Sequence, residues 1–380
     1  MIKFHIPYTD NGDSRNLNRV LKNKWLTMGI KTIEFEQKFL NFINNHSLKK
    51  TKYSLAVNSC TSAIHLALVS LSIKKNDEVI ISSNTFVSVA NVIKQIGAKP
   101  ILCDIDYQSG NIDLNKIEKL ITKKTKAIIP VHYAGRPFDI KKLLLIKKKY
   151  KLKIIEDAAH CIPTFYFMNH IGCHGFDFTC FSFYATKTLS TGEGGMLLTN
   201  NKKYYDKILK LRLHGMSKNA WSRYNNNKHW KYDVDCLGFK YNTTDINSSL
   251  GINQIKKILT NYKKRIAIVK RYQKNLKDIN QVKLPLDDTK NLKSAWHLFV
   301  IKVEKKRDQL ITYLRDKGVQ CSVHYPAIYK FKIHKSLDHS DLNIIKKFNQ
   351  QNISLPIYPS LTISQVDYIC KKIINFYEKK

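Results

Sequence analysis

The sequence predicts an α/β fold: a mostly parallel sheet covered by helices on both faces, followed by a smaller α+β unit. Three observations carry this. Short apolar runs alternate with amphipathic segments through the first two hundred residues, the runs are too apolar to face water on one side, and the pattern changes at Asp245.

In order, Ser54 to Val57 reads as a strand and Thr61 to Leu71 as a helix. Strand Glu78 to Ile81, helix Val87 to Ile96 and strand Pro100 to Ile105 follow. Asp113 to Ile121 reads as a helix capped by Asp113, before strand Lys126 to Val131, helix Asp139 to Tyr150 and strand Lys153 to Glu156. Phe178 to Phe183 and Gly195 to Thr199 add two more strands, and such sheets place their chemistry at the carboxyl ends of the strands.

From Asp245 the apolar residues Ile246, Leu250, Ile255, Leu259, Tyr262, Ile266, Val269 and Tyr272 recur at helical spacing. They predict one long connecting helix with Asp245 as its cap. Beyond it come strand Trp296 to Val303, helix Arg307 to Lys317 stopped by Gly318, strand Val319 to His324, and helix Ser364 to Tyr377 with Ser364 at its N-cap. The expected division is a large domain over 1–244, a connecting helix over 245–280 and a small C-terminal domain over 281–380. No internal repeat or low-complexity linker interrupts it.

A chain of 380 residues that is 43% hydrophobic can bury a sizeable core, which excludes a disordered or fibrous protein. The best apolar run, Leu66 to Ile73, is far short of the ~20 residues that cross a bilayer. Lys3, His5, Asp10 and Asp13 interrupt any signal-peptide core, so the expectation is a soluble cytoplasmic protein without a membrane partner. The eight cysteines are scattered with no CxxC pair, which argues against a zinc site or a disulfide framework. Lys plus Arg number 65 against 29 Asp plus Glu, a formal charge of +36. A nucleic-acid binder would gather that charge on one face, whereas here the lysines run along the whole chain. The excess reads as drift on solvated faces, with the residual effect of attracting an anionic substrate.

Chemistry concentrates at strand ends. Glu156-Asp157-Ala158-Ala159-His160 puts a carboxylate and an imidazole after one buried strand, and Ser182-Phe183-Tyr184-Ala185-Thr186-Lys187 a hydroxyl and an amine after another. Thr191-Gly192-Glu193-Gly194-Gly195 gives a flexible turn beside that lysine. Asn58-Ser59-Cys60-Thr61-Ser62 offers hydroxyls and free amides at a helix N-terminus, a natural phosphate cradle. Each feature alone has a bland reading, as a solvated lysine, a helix cap or a core histidine. Together a lysine, a buried aspartate and a phosphate cradle describe the needs of pyridoxal phosphate: a Schiff base, a partner for the pyridine nitrogen and a phosphate site.

With these motifs the chain resembles the DegT/StrS-type sugar aminotransferases, pyridoxal-phosphate enzymes of the aspartate-aminotransferase fold. The resemblance runs from Lys24-Trp25-Leu26-Thr27-Met28-Gly29 through Pro130-Val131-His132-Tyr133-Ala134-Gly135 and the strand ends above to Gly238-Phe239-Lys240-Tyr241-Asn242, His324-Tyr325-Pro326 and Leu355-Pro356-Ile357-Tyr358-Pro359. It implies that Lys187 holds the cofactor and moves the proton, and that Asp157 faces the pyridine nitrogen. It places His160 near the ring, Phe86 stacked on it, and Ser182 with Cys60 and Thr61 on the phosphate. Substrate-side positions implied are Tyr8, Trp25, Leu26, Thr27, Met28, Ser59, Asn242, His324 and Tyr325.

Many relatives read Gly-x-Asn-Tyr-Arg where this chain has Gly238 to Asn242. The family sends this segment into the neighbouring subunit's site, so Lys240 is expected to serve a partner's cofactor or substrate as a point charge rather than a fork. The Lys-Tyr-Asn version, with Leu213-His214-Gly215-Met216 and Ser222-Arg223-Tyr224, resembles a branch that aminates nucleotide-linked 4-keto sugars. The implied protein is a homodimeric transaminase moving an amino group from glutamate to such a sugar for surface polysaccharide synthesis. The alternatives are amination of a 3-keto sugar nucleotide and a non-catalytic regulator on the same fold. A pyridoxamine-dependent sugar dehydratase would carry histidine in place of Lys187.

Overall fold

The computed structural model describes residues 1–217 and 232–378, so Ser222 to Tyr224 lie outside the described residues. Strands β1 (Tyr53–Val57), β2 (Glu78–Ser82), β3 (Lys99–Cys103), β4 (Thr125–Ile129) and β5 (Lys153–Asp157) appear within two residues of expectation. After the short ladder β6 (Phe165–Tyr166) and β7 (Asn169–His170) come β8 (Phe178–Ser182) and β9 (Gly195–Thr199). One sheet takes the order β1-β9-β8-β5-β4-β2-β3. Its pairs from β3 to β8 are parallel, and β9 runs against both neighbours.

The strands read as continuous apolar runs because both faces are covered. Leu55, Val57, Ile155 and Leu197 enter a core with helices α3 (Cys60–Ser70) and α4 (Val87–Gln95). Ala56, Ile154, Met196 and Leu198 face the other core with α2 (Ile30–Asn45) and α5 (Ile140–Tyr150). A three-stranded antiparallel sheet of Val282–Lys283, Phe299–Val303 and Asn352–Leu355 packs a third core against the helices Arg307–Asp316 and Ile363–Glu378.

Several expectations are corrected. Asp113 to Ile121 is not a helix; only Glu118–Leu120 forms a 3₁₀ turn. Ile112 bridges Ile105, Asp113 donates its amide to Asp104, and Ile112, Leu114 and Ile117 are buried, so packing beyond β3 overrides the local pattern. The long helix is two helices, α7 (Asp245–Ile255) and α8 (Ile258–Leu276). At the break Lys257 is drawn to Asp10 and Asp13, each at 2.7 Å. Val319 to His324 makes only isolated bridges, Ile2 to Val319 and Ser322 to Ser354, and leads His324 and Tyr325 towards the sheet. Strand Trp296 to Val303 begins at Phe299. Trp296 sits at φ 49° because the neighbouring amides of Ala295 and His297 bond Gly135 and Ala134. Thr362 rather than Ser364 caps the last helix, accepting the Gln365 amide at 3.2 Å.

Asp245 is not the cap of its own helix. Thr244 fills that place, while the Asp245 carboxylate caps α2 from a distance. It accepts the amides of Gly29 (2.8 Å), Lys31 (3.1 Å) and Thr32 (2.9 Å) and the Thr32 hydroxyl (2.8 Å). Gly29 has no side chain to offer, so the orphan amides of that helix end depend on a residue more than two hundred positions away. Asp245→Ala should therefore cost about 3 kcal/mol, because buried donors lose their acceptor. Thr244→Ala, an ordinary lost cap, should cost about 1 kcal/mol. Urea midpoints at constant slope make the comparison, and equal losses would refute the long-range cap.

Candidate active site

A cavity of about 560 Å³ opens at the carboxyl ends of the strands. Ser59, Cys60, Thr61, Phe86, Asp157, His160, Ser182, Lys187, His324 and Tyr325 all line it. Those ten positions, spread over more than 260 residues of chain, are brought to one place by the sheet order.

At the end of β5, Asp157 is 5% exposed. Its Oδ1 accepts the Ala159 amide at 3.0 Å and stands 4.0 Å from the Cys60 thiol, while Oδ2 accepts nothing among the described residues. Burial pushes this carboxyl up, opposed by the Ala159 amide and the Lys187 charge. Beyond β8 the chain turns, with the Lys187 amide bonded to the Tyr184 carbonyl at 2.8 Å. Burial pulls the Lys187 amine down to about 8, and the Asp157 charge limits the fall. A neutral nucleophilic amine is thus accessible near physiological pH.

Ser59 caps α3, accepting the Ser62 amide at 3.1 Å, and the first-turn amides of Cys60 and Thr61 have no intrahelical partner. Gly195 makes this turn possible: a Cβ there would lie 2.5 Å from the Ser59 carbonyl carbon and 2.7 Å from the Cys60 nitrogen. The Thr191–Glu193 turn beside Lys187 is pinned by Asn247 of α7, whose Nδ2 donates to the Thr191 and Glu193 carbonyls at 2.8 and 2.9 Å.

Imidazoles form one wall. His160 meets the Tyr325 hydroxyl at 2.9 Å and lies 4.4 Å from the His297 ring, and His324 meets the Ser354 hydroxyl at 2.8 Å. Burial holds them neutral: His5 falls to about 3, His324 to about 4, and His160 and His297 well below the ordinary value, with the Lys187 charge adding to each fall.

These residues fit pyridoxal phosphate. A buried carboxylate with one free oxygen suits a protonated ring nitrogen, the α3 turn suits a phosphate, and the buried Thr85 hydroxyl lines the cavity with no partner of its own. Sequence reasoning missed His5, Thr85, Glu193 and His297 as lining residues and Asn247 as their support. Thr85 beside Phe86 was within reach, as was Glu193 in the turn that follows Lys187; nothing local marks His5, His297 or Asn247.

The remaining expected positions do not line this cavity. Lys240 is exposed, and Asn242 bridges Val57 behind the α3 turn. Tyr8 lies under Lys257 and Lys264, at 5.6 and 5.0 Å from its ring. Trp25 donates to the Met28 carbonyl, the Thr27 carbonyl receives the Asp245 amide, and Leu26 is exposed.

A family model described as the DegT/DnrJ/EryC1/StrS aminotransferase family matches residues 7–374. The chain is 37% identical over 383 residues to SpsC of Bacillus subtilis, a spore coat polysaccharide biosynthesis protein, covering 98% of this chain and 96% of SpsC. Among solved structures, Spr1654 of Streptococcus pneumoniae, described as a sugar aminotransferase and solved in its PMP form, superposes with a TM-score of 0.92 at 29% identity over 100% of both chains. PseC of Helicobacter pylori, an aminotransferase of pseudoaminic acid biosynthesis, gives 0.90 at 29% identity over 99% of both.

Because the folded Lys187 value lies near 8 and the free one at 10.5, the unfolded chain binds the extra proton between them. Stability of the cofactor-free protein should rise with pH across that window, by up to about 3 kcal/mol from this group. The difference between wild type and Lys187→Met, followed by urea denaturation from pH 7.5 to 10.5, isolates it. A pH-independent difference would contradict the burial cost.

Proposed function

Because the chain belongs to the DegT/DnrJ/EryC1/StrS aminotransferase family, whose enzymes use pyridoxal phosphate, we propose that it transfers an amino group from glutamate to the C4 keto carbon of a nucleotide-linked sugar. The product would feed surface polysaccharide synthesis, a reading supported by the likeness to SpsC and PseC. The observation that carries it is the convergence of Lys187, Asp157 and the α3 N-terminus on one cavity.

Pyridoxal phosphate, when bound, supplies the electron sink that lets a carbon beside nitrogen give up its proton. The chain supplies the rest. Lys187 would hold the cofactor covalently and, once released, would carry a proton on Nζ between two carbons. Its lowered affinity for protons suits both donating and accepting near neutral pH. Asp157 would face the ring nitrogen and, as the carboxylate, hold a proton there. Cys60 and Thr61 amides with the Ser182 hydroxyl would bind the phosphate, and Phe86 would cover the ring. His160, oriented by Tyr325, is neutral and sets the ring's position without adding charge. Ser59, His324 and Tyr325 meet the sugar.

The proposal extends to a homodimer. Lys240 and Asn242, with Tyr8 and Trp25 to Met28, would complete the neighbouring subunit's site, and the division into domains at 1–244, 245–280 and 281–380 would set that surface. Basic groups there would hold the diphosphate while the keto carbon faces Lys187, so most of the orienting energy comes from the nucleotide.

The direct test compares nucleotide-linked 4-keto and 3-keto sugars at equal concentration with glutamate, with Lys187→Ala as control. Preference for the 4-keto compound is expected, along with loss of turnover and of visible cofactor absorbance in the control. Preference for the 3-keto compound would move the substrate assignment, and no amination of either with cofactor bound would favour the regulator.

Sharing of sites has its own readout. Co-expressed Lys187→Ala and Lys240→Ala chains should regain up to roughly a quarter of wild-type activity by random pairing, since half the dimers carry one intact site. No recovery over the two parents would mean that Lys240 acts within its own chain or not at all.

A further inference from the structure

The chemistry above uses Asp157 and leaves the preceding residue without a task. Glu156 is fully buried, and as the next residue along β5 it points to the opposite face of the strand. Its Oε1 stands 2.9 Å from His132 Nε2, and its Oε2 accepts the Thr179 hydroxyl at 2.7 Å. His132 is equally buried, its ring flat on Phe138 with centroids 4.1 Å apart and planes 2° apart, and its Nδ1 has no partner. The backbone ties the pair to the site, because the His132 amide donates to the Asp157 carbonyl at 3.1 Å.

Two consecutive carboxyl groups are therefore removed from water at the end of one strand. Two bare charges there would repel each other in a weakly polar interior, and one would be neutralised by a proton. Of the other titratable groups around this point, Cys161, Cys173 and Cys180 are held as thiols by burial, His170 turns its Nδ1 to the Ile171 carbonyl and His174 its Nε2 to the Tyr166 carbonyl, and Lys187 lies across the strand on the Asp157 side. Among the described residues only His132 can exchange a proton with Glu156 across a hydrogen bond.

We propose that Glu156 and His132 hold one proton between them, forming a net-neutral pair that leaves Asp157 as the single negative charge at the end of β5. The pair is neutral whether the proton sits on the carboxylate or on the imidazole, so its effect on Asp157 does not depend on which. His132 and Glu156 are positioning residues: they touch neither cofactor nor substrate and act by setting what Asp157 can carry. The pull of His132 on both carboxyls, each downward, agrees with this. The inference rests on the reading of Asp157 as the partner of the ring nitrogen.

The experiment is a double-mutant cycle on the dimeric holoenzyme, read by pyridoxal phosphate affinity in equilibrium dialysis and by the visible absorbance maximum. His132→Asn keeps a donor but takes away the group that neutralises Glu156, so Glu156 and Asp157 compete for a proton; it should weaken cofactor binding by ~10-fold or more and shift the band. Glu156→Gln removes the charge and should stay within ~3-fold of wild type, because no second carboxylate then stands beside Asp157. The double variant should return to the Glu156→Gln level. Additive losses, or Glu156→Gln as damaging as His132→Asn, would show a packing role and overturn the proposal. If His132→Asn alone does not fold, its effect within the Glu156→Gln background decides: no further loss supports the pair, and a further loss of ~10-fold overturns it. Asp157→Asn, run alongside, separates the two failures. An unchanged band there would overturn the Asp157 reading itself, whereas a changed band with additive losses would overturn the pair alone.

Discussion

Asp157 ends a central strand shielded from water, and the opposing charge that acts on it most strongly is the Lys187 amine. A carboxylate alone in such a place would take up a proton, and an amine alone would lose one; held in one cavity, each limits the other's shift. The sheet order makes this possible. β5 and β8 are adjacent and parallel, so their carboxyl ends deliver Asp157 and the Ser182–Lys187 turn side by side. The reversed strand β9 then brings Gly195 against the Ser59–Cys60 turn, setting the phosphate-type cradle beside both.

Around that pair the imidazole side of the wall is polar but uncharged. Its four imidazoles are kept neutral by burial and by Lys187, so they present hydrogen-bonding groups without adding charges to compete with Asp157. Behind the wall Arg265 is buried with its guanidinium on the carbonyls of Trp296 and Ile357, each at 3.0 Å. It fixes the turn that carries His297 and the Ile357 segment, and its charge further discourages protonation of His5 and His297.

The frame is held by polar contacts between distant segments as much as by the three apolar cores. Asp245 caps α2, Asn247 of the same helix pins the Thr191–Glu193 turn, and Lys257 holds Asp10 and Asp13 at the start of α1 (Asn11–Asn23). Helices α7 and α8 thus act as a brace between the N-terminal segment and the cavity rather than as a plain connector.

The sequence by itself determined the parallel sheet, because strands buried on both faces read as near-continuous apolar runs and that signature is local. It also determined the carboxylate, amine and hydroxyl motifs at the ends of β5, β8 and β1, since strand ends are legible wherever strands are. Tertiary structure alone decided the rest. Asp245 reads locally as a helix cap, but it satisfies amides of another helix, and a side chain's partner two hundred residues away leaves no periodic trace. Residues 113–121 have a helical pattern overridden by pairing with Asp104 and Ile105. His5 and His297 reach the cavity only because backbone bridges at Ile2 and at Ala134–Gly135 bend their segments inward, and those bridges are hydrogen bonds between main-chain groups that every residue possesses.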